Sequence, residues 1–277
     1  MGDAAAGGPV DAVAEARAQA VNTLDPQAAA ADRGPARPEE IQAAAIAGLL
    51  QGVKRVAVGM LSPIPGSGAL LARELSGGST RVTILGSKAH NRFTNGGAEL
   101  FDLAGRGKVD AFFLSGGQID GHGNINLVGT GDYPATPVRW SGSFGSAYLY
   151  FVVPRVILFR WEHSRRTLVD QVDFISAPGT SPPGVHRSGG PIALITNLCL
   201  FDFDRARGRF RLRSVHPGHT VEEVRDLTGF EVDLPEAGTV PETPVPDAGK
   251  LALLRGPVAR QIAGVYPTFA RQVFGVG

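Results

Sequence analysis

The chain has 277 residues, and 27 basic against 26 acidic side chains give it a formal net charge of +1 at pH 7. No block of like charge stands out, so the composition argues against nucleic acid or an anionic membrane surface as a partner. The single cysteine, Cys199, excludes an intrachain disulfide framework and a cysteine-based zinc cluster, and the apolar run around it indicates a buried thiol.

Residues 1–37 are rich in Ala, Gly, Pro and Asp, and we interpret them as a flexible arm ahead of a single α/β domain over residues 38–277. No signal peptide is recognisable. The longest apolar stretch, residues 147–159, is interrupted by Pro and Arg and is too short to span a bilayer. Together with the lone cysteine, these features predict a cytoplasmic protein with no membrane segment.

The first half of the domain alternates between strand and helix patterns. In order, the sequence predicts a helix from Pro38, a strand over 54–60, a turn over 62–66, a helix over 69–75, a strand over 81–85, a helix over 96–107 and a strand over 109–115. We expect the first helix to present Ile41, Ala45 and Leu49 on one face. This rhythm favours parallel strands joined by helical crossovers, in an open sheet covered by helices.

The second half is less regular. We predict a Gly-rich turn and helix over 138–150, strands over 154–161 and 168–176, a hairpin over 191–218 that turns at 207–208, a helix after Thr220, a Pro-rich connector over 235–249 and a helical segment from Lys250.

The segment over residues 61–74 (LSPIPGSGALLARE) follows a strand and leads into a helix, where free N–H groups favour an anion such as a pyrophosphate. A plain tight turn is the alternative. Its GSG is a partial dinucleotide fingerprint, but Leu71 replaces the third glycine and no acid ends the next strand, which argues against NAD.

Two Gly-rich segments are further candidates for a binding site. Residues 115–129 (SGGQIDGHGNINLVG) follow a buried strand, and Gln118, Asp120 and Asn124 place polar groups there; a Gly/Asn turn held by its own side chains is the alternative. Residues 139–149 (RWSGSFGSAYL) form a Gly/Ser loop before a helix, which suits a phosphate or carboxylate equally with an ordinary loop. The six histidines show no zinc-binding spacing, so no metal site is predicted.

The run GGQIDGHGNIN, from Gly116 to Asn126, resembles the G-A-Q-x-D-x-x-G-N-x-N segment of β subunits of family I CoA-transferases, of which glutaconate CoA-transferase and the CoA hydrolase that opens steroid rings are examples. Five further segments agree in order with that family: SPIPGSGALLARE, VRWSGSFGSA, VDFISAPG, TNLCLFDFD and HPGHTVEEVRDLTGF. The resemblance covers about residues 38–235.

This resemblance implies an open α/β fold that pairs with an α-like subunit, as αβ or α2β2, and an acyl-CoA thioester as substrate. In the transferases a glutamate carboxylate attacks the thioester and then carries CoA to an acceptor acid. The resemblance also implies that the loops lining the substrate are the Gly116–Asn124 turn and the Gly142–Gly145 loop. The candidate polar and backbone contacts are Ser62, Ser87, Gly116, Gly117, Gln118, Asp120, Asn124, Gly142, Ser143 and Gly145.

One departure from the family bears on the reaction. The β-subunit nucleophile of the transferases follows the second strand, where this chain has residues 85–91 (LGSKAHN) and no acid before Glu99. The catalytic residue of this chain is therefore unknown. CoA transfer remains our leading expectation, with a thioester hydrolase or ring-cleaving enzyme whose glutamate lies in the α subunit, or a non-catalytic subunit, as the alternatives. Lys88 and His90 are candidates for binding the CoA phosphates or a substrate carboxylate, with a solvated loop as the alternative.

Overall fold

A computed structural model describes residues 34–276. The predicted flexible arm therefore lies outside the described residues, apart from residues 34–37. The helices are α1 (Pro38–Leu49), α2 (Pro63–Leu75), α3 (Gly96–Gly105), α4 (Ser146–Val152), α5 (Val221–Leu227), α6 (Ala248–Leu253), α7 (Ala259–Ala263) and α8 (Pro267–Phe269), with π-helical turns over Leu254–Val258 and Ala270–Phe274.

The strands follow one another along the chain with lengths of two to seven residues. They are β1 (Arg55–Val58), β2 (Arg81–Ile84), β3 (Ala111–Leu114), β4 (Gln118–Ile119), β5 (Ile125–Asn126), β6 (Gly129–Thr130), β7 (Val138–Arg139), β8 (Arg155–Phe159), β9 (Pro191–Ile195), β10 (Cys199–Asp204) and β11 (Arg209–Val215).

Seven of these strands build the central sheet, in the order β11-β10-β9-β8-β3-β1-β2. The strands β9, β8, β3, β1 and β2 are parallel to one another. Strand β10 pairs antiparallel with both of its neighbours, β9 and β11. The predicted open, mostly parallel α/β sheet is therefore confirmed. Two small antiparallel pairs, β4 with β5 and β6 with β7, lie outside the sheet and carry the candidate turn.

The sheet separates two hydrophobic layers. On one face α1, α2 and the C-terminal helices bury a core that includes Ile46, Leu70 and Ile262. On the other face α3, α4, α5 and the small hairpins bury a second core that includes Tyr150 and Phe201. Both faces of the parallel strands are covered, as their continuously apolar sequences predict.

Helix α2 begins at Pro63, so the predicted turn over residues 62–66 is wrong beyond Ser62 and forms the first helical turn. Proline at the first position suits a helix start. The glycine at 68 lies against α1, where an added Cβ would stand 2.5 Å from Ile46 Cγ2 and 2.9 Å from the Ala43 carbonyl oxygen. The GSG motif thus serves close packing of two helices.

Two further predictions need correction. On α1, Ile41 is buried as predicted, whereas Ala45 and Leu49 are only partly buried. The other apolar residues of its inward face are Ala43, Ile46 and Ala47, because α1 packs chiefly on α2. Residues 168–176 form no strand in the structure. Residues 168–177 make only isolated bridges, at Leu168 and Ala177, and side chains replace the missing ladder.

Candidate active site

The carboxyl ends of the parallel strands lie along one edge of the sheet, which is where open α/β sheets place their sites. Ser62 follows β1, Ser87 follows β2, and Gly116 follows β3. The first two loops touch, since a Cβ at Gly86 would lie 3.5 Å from Met60 Cε. The structure therefore gathers the predicted residues of these three loops at this edge, which we call the carboxyl edge.

The Asp120 carboxylate organises the turn between β4 and β5. It is 2% exposed, and its Oδ1 accepts from the His122 and Asn124 N–H groups, both at 3.0 Å. Its Oδ2 accepts from Asn124 Nδ2 at 2.9 Å. Asn124 Oδ1 accepts from the Gly179 N–H at 3.1 Å, and the Tyr150 hydroxyl donates to the Gly123 carbonyl at 2.8 Å. These contacts fix the turn from within.

Gln118 is likewise bound to its own surroundings. Its Oε1 accepts from Asn126 Nδ2 at 2.7 Å and from the Asp173 N–H at 3.0 Å. The second contact explains why the segment around Asp173 needs no ladder, because a side chain supplies the acceptor. Gln118, Asp120 and Asn124 thus shape the turn, and a direct contact with substrate stays a prediction.

Gly116 and Gly117 allow a close approach of neighbouring groups. A Cβ at Gly116 would stand 2.6 Å from the Gln118 carbonyl oxygen, and one at Gly117 would overlap the indole of Trp140. The Gly117 N–H donates to the Asn126 carbonyl at 2.9 Å, so it is already occupied. Trp140 was not predicted as a wall of this site, although it lies within the Gly/Ser segment.

The Gly142–Gly145 loop reaches the same edge from the other side. Phe144 has a left-handed φ of 44° and is 82% exposed. A Cβ at Gly145 would overlap the ring of Phe101, and Phe144 lies 5.4 Å from that ring between centroids. Phe101 lies in the middle of α3, and a Cβ at Gly97 in its first turn would stand 2.8 Å from Phe144 Cζ, so the loop is held beside the first half of that helix. Gly142 itself is exposed, and the Ser143 carbonyl accepts from the Ser146 N–H at 2.8 Å.

Leu61 and Phe144 are the two non-glycine residues with positive φ in the described part of the chain. Leu61, with φ 56°, is 88% exposed directly before Ser62. Such a conformation costs about 1–3 kcal/mol and is concentrated at functional sites. Ser62 is bonded locally: its N–H donates to the Tyr266 hydroxyl at 3.3 Å and its Oγ to the Met60 carbonyl at 3.2 Å.

Ser87 lies in the segment, residues 85–91, in which the family resemblance places a glutamate. It is 4% exposed, and its Oγ accepts from the His90 N–H at 3.0 Å. Burial lowers the pKa of His90, and the nearby Arg73 and Arg92 lower it further. The loop after β2 thus carries positive charge and no carboxylate.

Glu162 is an acid at the carboxyl edge that was not predicted from sequence, three residues beyond β8. Arg166 Nη2 donates to both of its oxygens, at 2.9 and 2.8 Å, and Ser164 Oγ donates at 2.8 Å. Hydrogen bonds from Arg166 and Ser164 lower the pKa of Glu162. A carboxylate that stays ionised but is held by these hydrogen bonds is a poor nucleophile.

Within residues 34–276, no group of three or more His, Cys, Asp or Glu side chains is arranged to hold a metal ion. The described helices include none that is long and apolar enough to cross a membrane.

Comparison with known proteins identifies the family. A family model described as Coenzyme A transferase matches residues 53–227. One of the subunits of the 3-oxoadipate CoA-transferase of Pseudomonas knackmussii is 35% identical over 136 residues, which cover 47% of this chain and 52% of that protein. The chain therefore spans about half the length of this relative.

Two further similarities extend over more of the fold. The cholesterol ring-cleaving hydrolase IpdB subunit of Rhodococcus jostii is 28% identical over 219 residues, covering 73% of this chain and 86% of that protein. The crystal structure of Rhodococcus jostii IpdAB superimposes with a TM-score of 0.70 at 26% identity, over 80% of this chain and 94% of that one. Since the family model matches more than half of the residues, this chain belongs to the coenzyme A transferase family.

Proposed function

We propose that this chain is the β-type subunit of a heteromeric enzyme that processes acyl-CoA thioesters, with its catalytic carboxylate supplied by an α-like partner. The observation that carries the proposal is the loop after β2. Residues 85–91 stand in the segment where the resemblance places the family's nucleophile, and they contain no acid.

Ser87 is not equipped to act as the nucleophile itself. A serine needs a neighbouring base to remove its proton, whereas Ser87 Oγ accepts a hydrogen bond from a backbone N–H. In the described part of the chain, no hydrogen bond joins that oxygen to a His, Asp or Glu side chain. A carboxylate from a second chain supplies what this edge lacks.

Exposed apolar side chains at the carboxyl edge support a partner surface there. Met60 is 66% exposed, Leu61 88% and Phe144 82%, and Trp161 after β8 is 46% exposed. Large apolar groups clustered beside a site mark an interaction surface. The relatives agree with this arrangement, because they are named as subunits of two-chain enzymes.

Two reactions fit such a subunit. In CoA transfer, the partner's carboxylate attacks the thioester and expels the CoA thiolate, which leaves an acyl anhydride on the partner. The thiolate then attacks the partner's own carbonyl and releases the donor acid, and an acceptor carboxylate reverses the two steps to leave as the new acyl-CoA. In hydrolysis or ring cleavage, the partner's carboxylate activates water instead. The similarity to the IpdB subunit covers 86% of that protein, against 52% of the transferase subunit. For this reason we keep the hydrolytic reaction as a second candidate beside CoA transfer.

The substrate would lie between the partner and the loops of the carboxyl edge. We propose that substrate contacts the loops after β1, β2 and β3, near Ser62, Ser87 and Gly116. The N–H groups of Ser62 and Ser87 already donate to the Tyr266 hydroxyl and to the Ile84 carbonyl, so these two residues would shape the site rather than supply free backbone donors. Trp140 would limit the space above Gly117, since its indole already covers that residue.

The decisive experiment is to co-express this chain with the α-like chain and to follow a panel of acyl-CoAs and their products by mass spectrometry, with and without an acceptor acid. CoA release without acceptor supports thioester hydrolysis, an acyl-CoA product that has gained water supports ring cleavage, and loss of the acyl-CoA only with acceptor supports transfer. An assembled pair that consumes no acyl-CoA would contradict the proposal.

A variant pair tests the partner surface separately. Leu61→Asp places a charge on the exposed apolar edge and should reduce assembly with the partner in size-exclusion chromatography. Val245→Asp, at a 51% exposed apolar position in the Pro-rich connector, is the matched control and should assemble normally. Equal assembly of both variants would show that the carboxyl edge is not the interface with the partner.

A further inference from the structure

A cavity of about 620 Å³ lies along the edge strand β2, and its walls are strongly basic. Five cations and one histidine line it: Arg55, Arg73, Arg81, Arg92, Lys108 and His90. The lining contains no Asp or Glu. We call this cavity the basic edge pocket.

The cations of the basic edge pocket are not balanced by acids of the described chain. Eight ion pairs occur among residues 34–276, and none of them includes these five side chains. The concentration is notable for a chain whose net charge is only +1. Like charges gathered without counterions repel one another, so a bound anion would relieve the repulsion.

His90, which also lines the pocket, is affected by the positive charge around it. Burial lowers its pKa, and Arg73 and Arg92 lower it further. Arg73 on α2 and Arg92 in the loop after β2 both line this cavity. Planar guanidinium groups that line one cavity suit phosphate oxygens.

The pocket also offers an apolar surface. Phe93, Leu103 and Val82 contribute to its walls, and its volume lies within the range of about 300–1,000 Å³ found for small-molecule sites. Clustered cations beside an aromatic ring and aliphatic side chains match a ligand that carries several phosphates and a flat heterocycle.

We propose that the basic edge pocket binds an adenine nucleotide with clustered phosphates, and that its occupant is the 3′-phospho-ADP end of the acyl-CoA substrate. This assignment rests on the proposed function. The loop after β2 connects the two regions, because Ser87 lies at the carboxyl edge while Ala89, His90 and Arg92 line the pocket. The pocket begins at the amino ends of β1 and β2, at Arg55 and Arg81, and extends to this loop, so a ligand bound there would follow the edge strand towards the site.

The test compares ligand binding to the full chain, assembled with its partner, for a double variant and a matched control. Arg73→Gln with Arg92→Gln removes two pocket cations. Arg225→Gln with Arg271→Gln removes two exposed cations that lie outside the pocket lining. Calorimetry measures binding of CoA, dephospho-CoA, 3′,5′-ADP and pantetheine, and circular dichroism checks that every variant is folded.

We expect CoA and 3′,5′-ADP to bind about 10-fold or more weakly to the pocket variant, as expected from the loss of about 1.4 kcal/mol or more. Pantetheine should be unaffected, and the control should bind like the wild type. The preference for CoA over dephospho-CoA should shrink in the pocket variant, because the 3′-phosphate loses its partners.

Unchanged CoA binding by the folded pocket variant would overturn the inference. Weakened binding of 3′,5′-ADP with unchanged CoA binding would also overturn it, because the pocket would then serve a free nucleotide. The proposed function fails separately: if the assembled pair binds CoA through this pocket but consumes no thioester, the pocket stands and the activity does not.

Discussion

Asp120 and Asn124 close the candidate turn on each other, with Asn124 Nδ2 donating to Asp120 Oδ2 at 2.9 Å while the Asn124 N–H donates to Asp120 Oδ1 at 3.0 Å. The polar residues that mark the family in the sequence are therefore first of all the internal support of a loop. The substrate would meet the shape that they hold.

Replacing Asp120 by Ala should destabilise the chain by about 2–3 kcal/mol, because three hydrogen bonds to a buried carboxylate are lost and their donors stay buried. Urea unfolding followed by circular dichroism measures the change. Asp102→Ala, at an exposed position of α3, is the control and should change stability by less than about 0.5 kcal/mol. Equal losses in both variants would show that the turn network adds no stability.

Gly68→Ala should destabilise by about 1–3 kcal/mol, because the new methyl group would press on Ile46 and on the Ala43 carbonyl. Gly48→Ala in α1 meets nothing within 4 Å and should stabilise by about 0.5–1 kcal/mol, since alanine favours the helix. Thermal unfolding of both variants gives the comparison. A stabilising Gly68→Ala would contradict the close packing of α1 on α2.

Glu40 and Arg255 join the start of α1 to the C-terminal helices through a buried ion pair, with contacts at 2.7 and 2.8 Å. Their side chains are 1% and 5% exposed. Glu40→Gln should cost about 3 kcal/mol, because one charge of a buried pair is removed.

Asp247→Asn is the matched control for that pair, since it changes a carboxylate to an amide in the exposed pair with Lys250 and keeps a good N-cap residue. It should cost less than about 1 kcal/mol in chemical denaturation. A loss for Glu40→Gln as small as that of the control would mean that the buried pair is not needed.

His163 and His216 should make stability fall as the pH is lowered. Burial is the main cause that lowers the pKa of each to about 4, from 6.5. Both are buried among hydroxyl groups: His163 contacts Thr196 and Thr228 at 2.9 Å, and His216 contacts Thr243 at 2.9 Å. The unfolded chain takes up these protons first, so their stabilising effect is complete above about pH 6.5 and is lost as the pH falls towards 4.

Between pH 7 and pH 5 this linkage amounts to about 2 kcal/mol for each histidine. His163→Asn should lower stability at pH 7 but reduce the difference between the two pH values. The exposed His186→Asn serves as control and should retain the wild-type difference. Urea unfolding at both pH values decides, and an unchanged difference in His163→Asn would contradict the buried neutral state.

The order of strands and helices was predictable because apolar runs such as residues 109–115 can satisfy their backbone groups only inside a sheet covered on both faces. The same rhythm predicts that the loops after β1, β2 and β3 lie together, since loops after parallel strands meet at one edge; the role of that edge as the site stays a prediction. The strand predicted over residues 168–176 was wrong because the alternation of apolar and polar residues there is also typical of a strand. In the structure, this segment forms its hydrogen bonds with Gln118 and with the β4–β5 pair, which are distant in sequence.

Other features depend on contacts that a sequence pattern does not carry. The packing role of Gly68 depends on Ile46, and the cover over Gly117 depends on Trp140, both far enough along the chain that tertiary structure decides. The basic edge pocket draws Arg73 and Arg92 together from separate elements, and neither lies in a block of like charge.

If the catalytic carboxylate belongs to the partner, no covalent intermediate should form on this chain. The most direct measurement is the intact mass of both chains after the assembled enzyme is mixed with an acyl-CoA in the absence of acceptor. We expect the thioester to be consumed while this chain keeps its mass, with any acyl or CoA adduct on the partner. An acyl or CoA adduct on this chain would contradict the assignment of the carboxylate to the partner.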